Sequence, residues 1–409
     1  MESLPGWSSW ILSDICRKQI SYGIVQTGDN LPNGIPCLRV VDLTRDVMRL
    51  EDMIKTSEET NKAYRKTILE KDEIVMALRG EIGLARLIDD NLVGANITRG
   101  LARISPETKV VLPEFLLWEL RSPQFRADLI RRVGGSALQE ISLTELRKVR
   151  TLLPPLLEQK KIAQILSTWD KAISVTEKLL VNSQRQKKAL MQQLLTGNKR
   201  LLDENGVRFS GEWQSLQISD IGTVVTGSTP PKNDSDNYGG DISWATAEDF
   251  VGKYVSNTKI KLSEQGAKKA RIVPKGSILV TCIASIGKNA IADENMGTNQ
   301  QINSVIVRGS NSNEFFYYQI EFNVKTLLTL AGTTAVPIIN KSSFEKVSLK
   351  FPHFEEQQKI ADVLSAADAE ITTLQKKLAC LKEEKKALMQ QLLTGKRRVK
   401  VEAEEAVSA

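Results

Sequence analysis

The sequence predicts an α+β protein, with two globular α/β domains of short twisted strands and helices joined by two long helices. Three observations predict it. The string KKALMQQLLTG stands at 187–197 and again at 385–395. Each copy closes a stretch of roughly forty residues with a seven-residue apolar period, the signature of a coiled-coil seam. The segments ahead of these stretches differ in texture: short β-prone runs cut by Gly, Pro, Asn and Asp.

The first domain takes residues 1–153. GIVQTGDNLPNGIPCLRVVDL and DEIVMALRGEIG read as strands and turns, and FLLWELRSPQFRADLIRRV reads as one or two helices. The first long helix takes 154–199, opening after proline and stopping at Thr-Gly, where a glycine C′ residue suits a helix end. Its seam rows are Ile162, Trp169, Thr176, Ser183, Leu190 and Leu166, Ile173, Leu180, Lys187, Leu194. The first row weakens at Thr176 and Ser183.

The second domain takes 205–351, with strand runs GSILVTCIASIG and NSVIVRG and a helical stretch EFFYYQIEFNVKTLLTLA. It echoes the first at three anchors. Trp7–Ile15 matches Trp213–Ile221, Lys71–Gly83 matches Lys275–Gly287, and Gly134–Ile141 matches Gly332–Ile339. Between the anchors the domains diverge, which is how binding specificity is varied on a fixed scaffold. The second long helix takes 352–396, with Ile360, Ala367, Leu374, Leu381, Leu388 and Leu364, Ile371, Leu378, Leu392 in its rows and Lys385 as the exception. Residues 397–409 read as a flexible charged tail.

The segments 154–197 and 352–395 align without a gap at an offset of 198, and about half their positions are identical. A seam requires only apolar residues. Identity at Lys187, Lys188, Gln192 and Gln193, and at Lys385, Lys386, Gln390 and Gln391, therefore suggests matching exposed faces offered to two copies of one partner about a pseudo-twofold axis. At 1.5 Å per residue each helix would be about 60 Å long, a strut rather than a core helix.

Composition and motifs exclude much. Apolar residues make up 41% and charged residues 26% of 409, and the net charge is +7, compatible with nucleic acid but not specific for it. Cys16, Cys37, Cys282 and Cys380 form no CxxC pair, so they read as incidental thiols of a cytoplasmic protein. His353 is the single histidine, which leaves little material for His-based acid/base or metal chemistry. Gly287-Lys288 is followed by Asn289, so no P-loop is present, and no GxGxxG follows a strand. Pro154-Pro155 and Pro230-Pro231 lack the flanking residues of an adenine-methylating motif. Glu107-Thr-Lys109 is too short a match for a nuclease. Gly134-Gly135-Ser136 and Gly332-Thr333-Thr334 read as turns before a strand, with anion binding the second reading. No catalytic apparatus is visible, which is the profile of a recognition subunit.

The order variable domain, conserved helix, variable domain, conserved helix, with PPLxEQxxIAxxL opening each helix and LLTGxxR closing it, resembles the specificity (S) subunit of Type I DNA restriction-modification systems. The likeness is carried by Pro155–Leu166, Leu190–Arg200, Phe354–Leu364, Leu388–Arg397 and Lys275–Gly287, and it covers nearly the whole chain. His353 and Phe354 depart from the usual Pro-Leu. Only the second domain opens with Thr-Gly-Ser-Thr-Pro, at Thr226–Pro230.

The resemblance implies that each variable domain is a target recognition domain reading one half of a bipartite sequence in double-stranded DNA. It implies that the helices pack antiparallel and fix the gap. It implies two modification subunits bringing S-adenosylmethionine and methyl transfer, and two restriction subunits bringing ATP- and Mg2+-dependent translocation and cleavage. The chain itself would hold no cofactor, bind no metal and catalyse nothing.

Base readout favours Arg or Lys for guanine and Asn or Gln for adenine, and phosphate contacts favour Lys, Arg, Ser and Thr. On those grounds the candidates in the first domain are Tyr22, Arg39, Arg79, Arg99 and Arg103. In the second they are Thr229, Lys232, Trp244, Lys253, Lys268, Lys269, Arg271, Lys288, Gln300 and Gln301. Arg79 and Lys288 stand out because they lie in or directly after the matched strand–turn segment. The competing reading is a coiled-coil scaffold that organises other proteins without DNA.

Overall fold

The structure is a computed structural model and describes residues 5–134, 139–332 and 336–401. The chain falls into two compact units, one running to Glu177 and resuming from Lys377, the other covering Lys178–Lys376. Each unit therefore takes in one globular domain, the first half of the helix that follows it and the second half of the other long helix.

In the first unit a four-stranded antiparallel sheet runs Cys16–Tyr22, Leu101–Pro106, Ile74–Ala77, Ala85–Leu87 across its width. A smaller sheet places Ile35–Leu38 between Ile54–Thr56 and Asn96–Ile97. Ser8–Ile11 pairs with Arg150–Leu153. The second unit repeats this order. Gly222–Thr226, Ile302–Val307, Ile278–Thr281 and Asn289–Ala292 form the large sheet, extended by Tyr254–Val255. Tyr238–Ala245 lies between Ile260–Leu262 and Met296–Thr298 in the smaller sheet, and Gln214–Gln217 pairs with Ser348–Phe351.

The echo between Lys71–Gly83 and Lys275–Gly287 is a structural register. Asp72 and Gly276 share a positive φ, as do Gly80 and Ala284, and Gly83 and Gly287. Positive φ is costly for any residue with a Cβ, so its recurrence at three paired positions marks one turn pattern folded twice. Gly23 and Gly227 mark another. A Cβ at Gly23 would sit 1.8 Å from the Ile97 carbonyl oxygen, and one at Gly227 would sit 2.1 Å from that of Asn299. Only glycine admits that approach.

The helical stretches divide. Pro113–Leu120 is followed by Pro123–Arg131, where the Ser122 hydroxyl accepts from the Phe125 amide and proline fills the first turn. Asn313–Phe322 is followed by Val324–Leu330. The long helices are Leu156–Leu194 and Phe354–Leu392, 39 residues each. Gly197 and Gly395, with φ of +75° and +70°, close the turns that follow.

No seam residue is exposed. Ile162, Leu166, Leu194, Ile360, Leu364 and Leu392 are buried, while Trp169, Ile173, Leu180, Leu190, Ile371, Leu374, Leu378 and Leu388 are half-buried. The weak positions are polar and buried: Thr176 Oγ1 donates to the Ala172 carbonyl, and Ser183 Oγ donates to Glu370. In the first unit Asp170 pairs with Lys385 and Glu177 with Lys382. In the second Lys187 pairs with Asp368 and Ser183 with Glu370. Numbers rise on one helix as they fall on the other, so the halves run antiparallel in each unit.

The repeated Leu-Leu of KKALMQQLLTG enters the domain cores. Leu194 and Leu195 pack in the cluster that holds Ile360, Leu364, Phe315 and Phe351. Leu392 and Leu393 pack in the cluster that holds Ile162, Leu166, Phe115 and Leu153. Among the described residues no helix is long and apolar enough to cross a membrane, and no cluster of His, Cys, Asp and Glu could hold a metal.

Candidate nucleic-acid interface

The opening motif of each long helix is a socket. Gln159 accepts from the Leu112 amide at 2.8 Å and donates to the carbonyls of Val110 and Pro154. Gln357 accepts from the Ser312 amide at 2.9 Å and donates to Pro352. The preceding glutamates take an arginine from the end of the other helix. Arg200 forks onto Glu356 at 2.7 and 2.6 Å, and Arg398 forks onto Glu158. The residue that repeats Arg200 is thus Arg398, one beyond the Arg397 at which the sequence motif was ended. Paired, two-point guanidinium–carboxylate bonds are strong and fixed in direction. They tie each helix end to the start of its neighbour within one unit.

Lys187 and Lys385 do not belong to an exposed face. Lys187 bonds Asp368 at 2.8 Å and Glu321 at 3.0 Å, and Lys385 bonds Asp170 with its ammonium 4.7 Å from the Trp118 ring. Both fall on a seam row, so each turns to an acid on the facing helix. Lys188, Gln192, Gln193, Lys386, Gln390 and Gln391 are exposed.

Among the candidates for DNA contact, burial removes two and an ion pair claims a third. Arg103 is 4% exposed and its guanidinium faces Glu73 within the large sheet. Trp244 is 3% exposed, and its indole N–H donates to the Ser228 carbonyl. Lys253 bonds Glu314 and Ser365 and lies 4.8 Å from the Tyr318 ring, where it pins the domain to the second long helix. Residue type suggested these contacts, but residue type does not encode burial. The partners that claim Arg103 and Lys253 lie 30 or more residues away in sequence.

The rest lie in loops or at the ends of strands and helices. Arg39 caps the short helix Val40–Leu43 through Asp42. Arg79, Arg99 and Tyr22 are exposed, and Tyr22 and Arg99 line a cavity of about 460 Å³ with Glu140, Thr144 and Arg147. The side chains of Arg79 and Val40 both crowd Gly100, which gathers Arg39, Arg79 and Arg99 at one edge. In the second domain the Thr-Gly-Ser-Thr-Pro loop is tied to two neighbours. The Thr229 hydroxyl donates to Gln300, and Arg271 donates to the Thr226 carbonyl. Gln301 sits beside Gln300 and accepts from Asn299. Lys288 is exposed with its ammonium on the Ala247 carbonyl. Lys232 and Lys268 are exposed, and Lys269 is tied to Asp234 and Asn237. The glycine-rich stretches 134–136 and 332–334 lie partly outside the described residues.

The sequence reading missed the Glu–Arg forks, although the offset of 198 between Arg200 and Arg398 carried the signal. It also missed the internal equivalence of the two loop edges. Thr98 donates to Leu38 as Asn299 donates to Ala245, and Arg39 and Thr246 each hold a helix start through an aspartate three residues on.

The comparisons agree with this duplicated plan. The family model described as "Type I restriction modification DNA specificity domain" matches residues 6–182 and again 210–383. The specificity subunit of Type I restriction enzyme MjaIX from Methanocaldococcus jannaschii is 37% identical over 166 residues, 38% of either chain. That of EcoBI from Escherichia coli is 32% identical over 160 residues, 39% of this chain and 34% of the relative. These matches thus span little more than a third of those relatives. The putative MjaX specificity subunit from M. jannaschii is 26% identical over 73% of this chain and 72% of its own length. Among solved structures, the S subunit of a Type I restriction-modification system from M. genitalium shares the fold at 15% identity. Its TM-score is 0.60, covering 94% of this chain and 96% of that one. A chain from a study of complex assembly in a type I R-M system does so at 17% identity. There the TM-score is 0.59, covering 96% and 99%. With both halves matched, the chain belongs to the Type I restriction modification DNA specificity domain family and carries that domain twice.

Proposed function

We propose that this chain is the sequence-recognition subunit of a Type I restriction-modification assembly. Each globular domain reads one half of a bipartite target in double-stranded DNA, and the long helices hold the two halves at a set spacing. The observation that carries the reading is one frame folded twice, with matched hydrogen bonds underneath and unlike Arg, Lys and Gln side chains on its exposed loops. Membership of the family supports it. The six exposed residues Lys188, Gln192, Gln193, Lys386, Gln390 and Gln391 support two copies of one modification subunit, because the same face recurs on each helix. In this reading S-adenosylmethionine enters with the modification subunits, ATP and Mg2+ with restriction subunits, and the assembly works in the cytoplasm. The chain supplies recognition and no chemical step.

Incubating the chain, with and without its methyltransferase partner, with a random-sequence duplex library tests this. The expected result is a retarded complex enriched in one split sequence, weakening as salt rises because phosphate contacts release counterions. A chain that retards no duplex under either condition would be a scaffold.

A further inference from the structure

We propose that Arg99 and Gln300 are the equivalent base-reading positions of the two domains, Arg99 for a guanine and Gln300 for an adenine. The proposal rests on the DNA-recognition reading above and narrows it to one side chain per domain.

The two residues occupy the same place in the same turn. The Leu101 amide donates to the Thr98 carbonyl at 2.9 Å, and the Ile302 amide donates to the Asn299 carbonyl at 3.1 Å. Each turn is hung from the smaller sheet at its first residue, through Thr98 to Leu38 at 2.9 Å and Asn299 to Ala245 at 3.1 Å. Each is hung from the larger sheet at its third residue. There the Leu78 amide donates to the Gly100 carbonyl and the Cys282 amide to the Gln301 carbonyl, both at 2.8 Å. Three fixed points hold the backbone and leave the second residue of the turn to project. That residue is exposed in both copies.

The chemistry at the tip differs while the three anchor points recur, the Arg99 amide adding one bond of its own to the Ile24 carbonyl at 2.8 Å. The Arg99 guanidinium makes no hydrogen bond or ion pair among the described residues, so its donors are open. Guanine offers two acceptors, O6 and N7, on its major-groove edge, which a guanidinium meets with two parallel bonds. Gln300 accepts the Thr229 hydroxyl through Oε1. That bond orients the amide and leaves Nε2 and one Oε1 lone pair open. Adenine offers N7 as acceptor and N6–H as donor, the pattern a glutamine amide matches. Arg39, Arg103, Lys253 and Lys269 carry similar donors but are committed to Asp42, Glu73, Glu314 and Asp234. A turn anchored at three points in both copies is a mount for positioned side chains, and bidentate readout needs such positioning.

The test maps the methylated sequence in genomic DNA for the chain co-expressed with its methyltransferase partner, as wild type, Arg99→Gln and Gln300→Arg. Arg99→Gln is expected to change one G·C pair of one half-site to A·T, and Gln300→Arg one A·T pair of the other half-site to G·C. Binding to duplexes substituted at each position reads the same effect without turnover. Arg99→Ala and Gln300→Ala are each expected to lose about tenfold or more discrimination at one base pair and none elsewhere. Unchanged discrimination at every position in both alanine variants, with melting temperature unchanged, overturns the proposal. If the wild type itself shows no split sequence, the DNA-recognition reading fails, and the tip assignment fails only as its consequence.

Discussion

Glu119 and Gln319 stand at the same point of the two units. Each lies on the helix whose start is held by the socket glutamine, and each faces the strand at the domain's edge. Gln319 uses its amide to donate to the carbonyls of Leu195 and Lys350. Glu119 accepts from the Leu152 amide through one oxygen and leaves the other buried without a partner. Burial pushes the Glu119 carboxyl up to about 8. Below that value the carboxyl is held in its neutral form, uncharged as the glutamine is at the matching position. The folded pKa lies above the unfolded value of about 4.3, so the folded state binds the extra proton. Stability from this group is full below that unfolded value and is lost as pH rises towards 8, at about 1.4 kcal/mol per pH unit within the window. Glu119→Gln should remove this loss. Urea unfolding at pH 5 and pH 8 checks it: the variant's advantage over wild type grows with pH, and an advantage that stays flat contradicts the assignment.

At the scale of elements, the ends of the long helices are held by crossed arginine straps. Glu356 is 1% exposed at its side chain and Arg200 20%. Removing Arg200 leaves a buried, unpaired carboxylate, a loss of about 3–5 kcal/mol. Arg200→Ala should therefore lower stability by about that amount, measured by urea unfolding, while Arg200→Met with Glu356→Met should recover most of it. The helices were legible in the sequence because a seven-residue period is local, and Gly197 and Gly395 mark their ends. The straps were not read, because Arg200 and Glu356 are 156 residues apart. Identity between the copies suggests an exposed face at Lys187 and Lys385, but their place on a seam row points them inward.

Across the whole molecule, the strand order of the first unit recurs in the second while the loops diverge. The three anchors made that duplication legible, and Lys71–Gly83 fixed its register down to the positive-φ turns. What stayed out of reach was which charged residues remain at the surface. Arg103 and Lys253 satisfy acids brought by other strands and helices, and only the folded chain shows those acids. Residue type alone does not distinguish Arg99 and Gln300 from the other thirteen candidates; their shared turn does. The central claim is that two copies of one frame read two different half-sites. Sequencing of methylated bases in DNA from cells carrying the chain and its methyltransferase partner tests it most directly. The account predicts one asymmetric sequence in two parts separated by a gap of fixed length. A single uninterrupted sequence, or two identical halves, would contradict it.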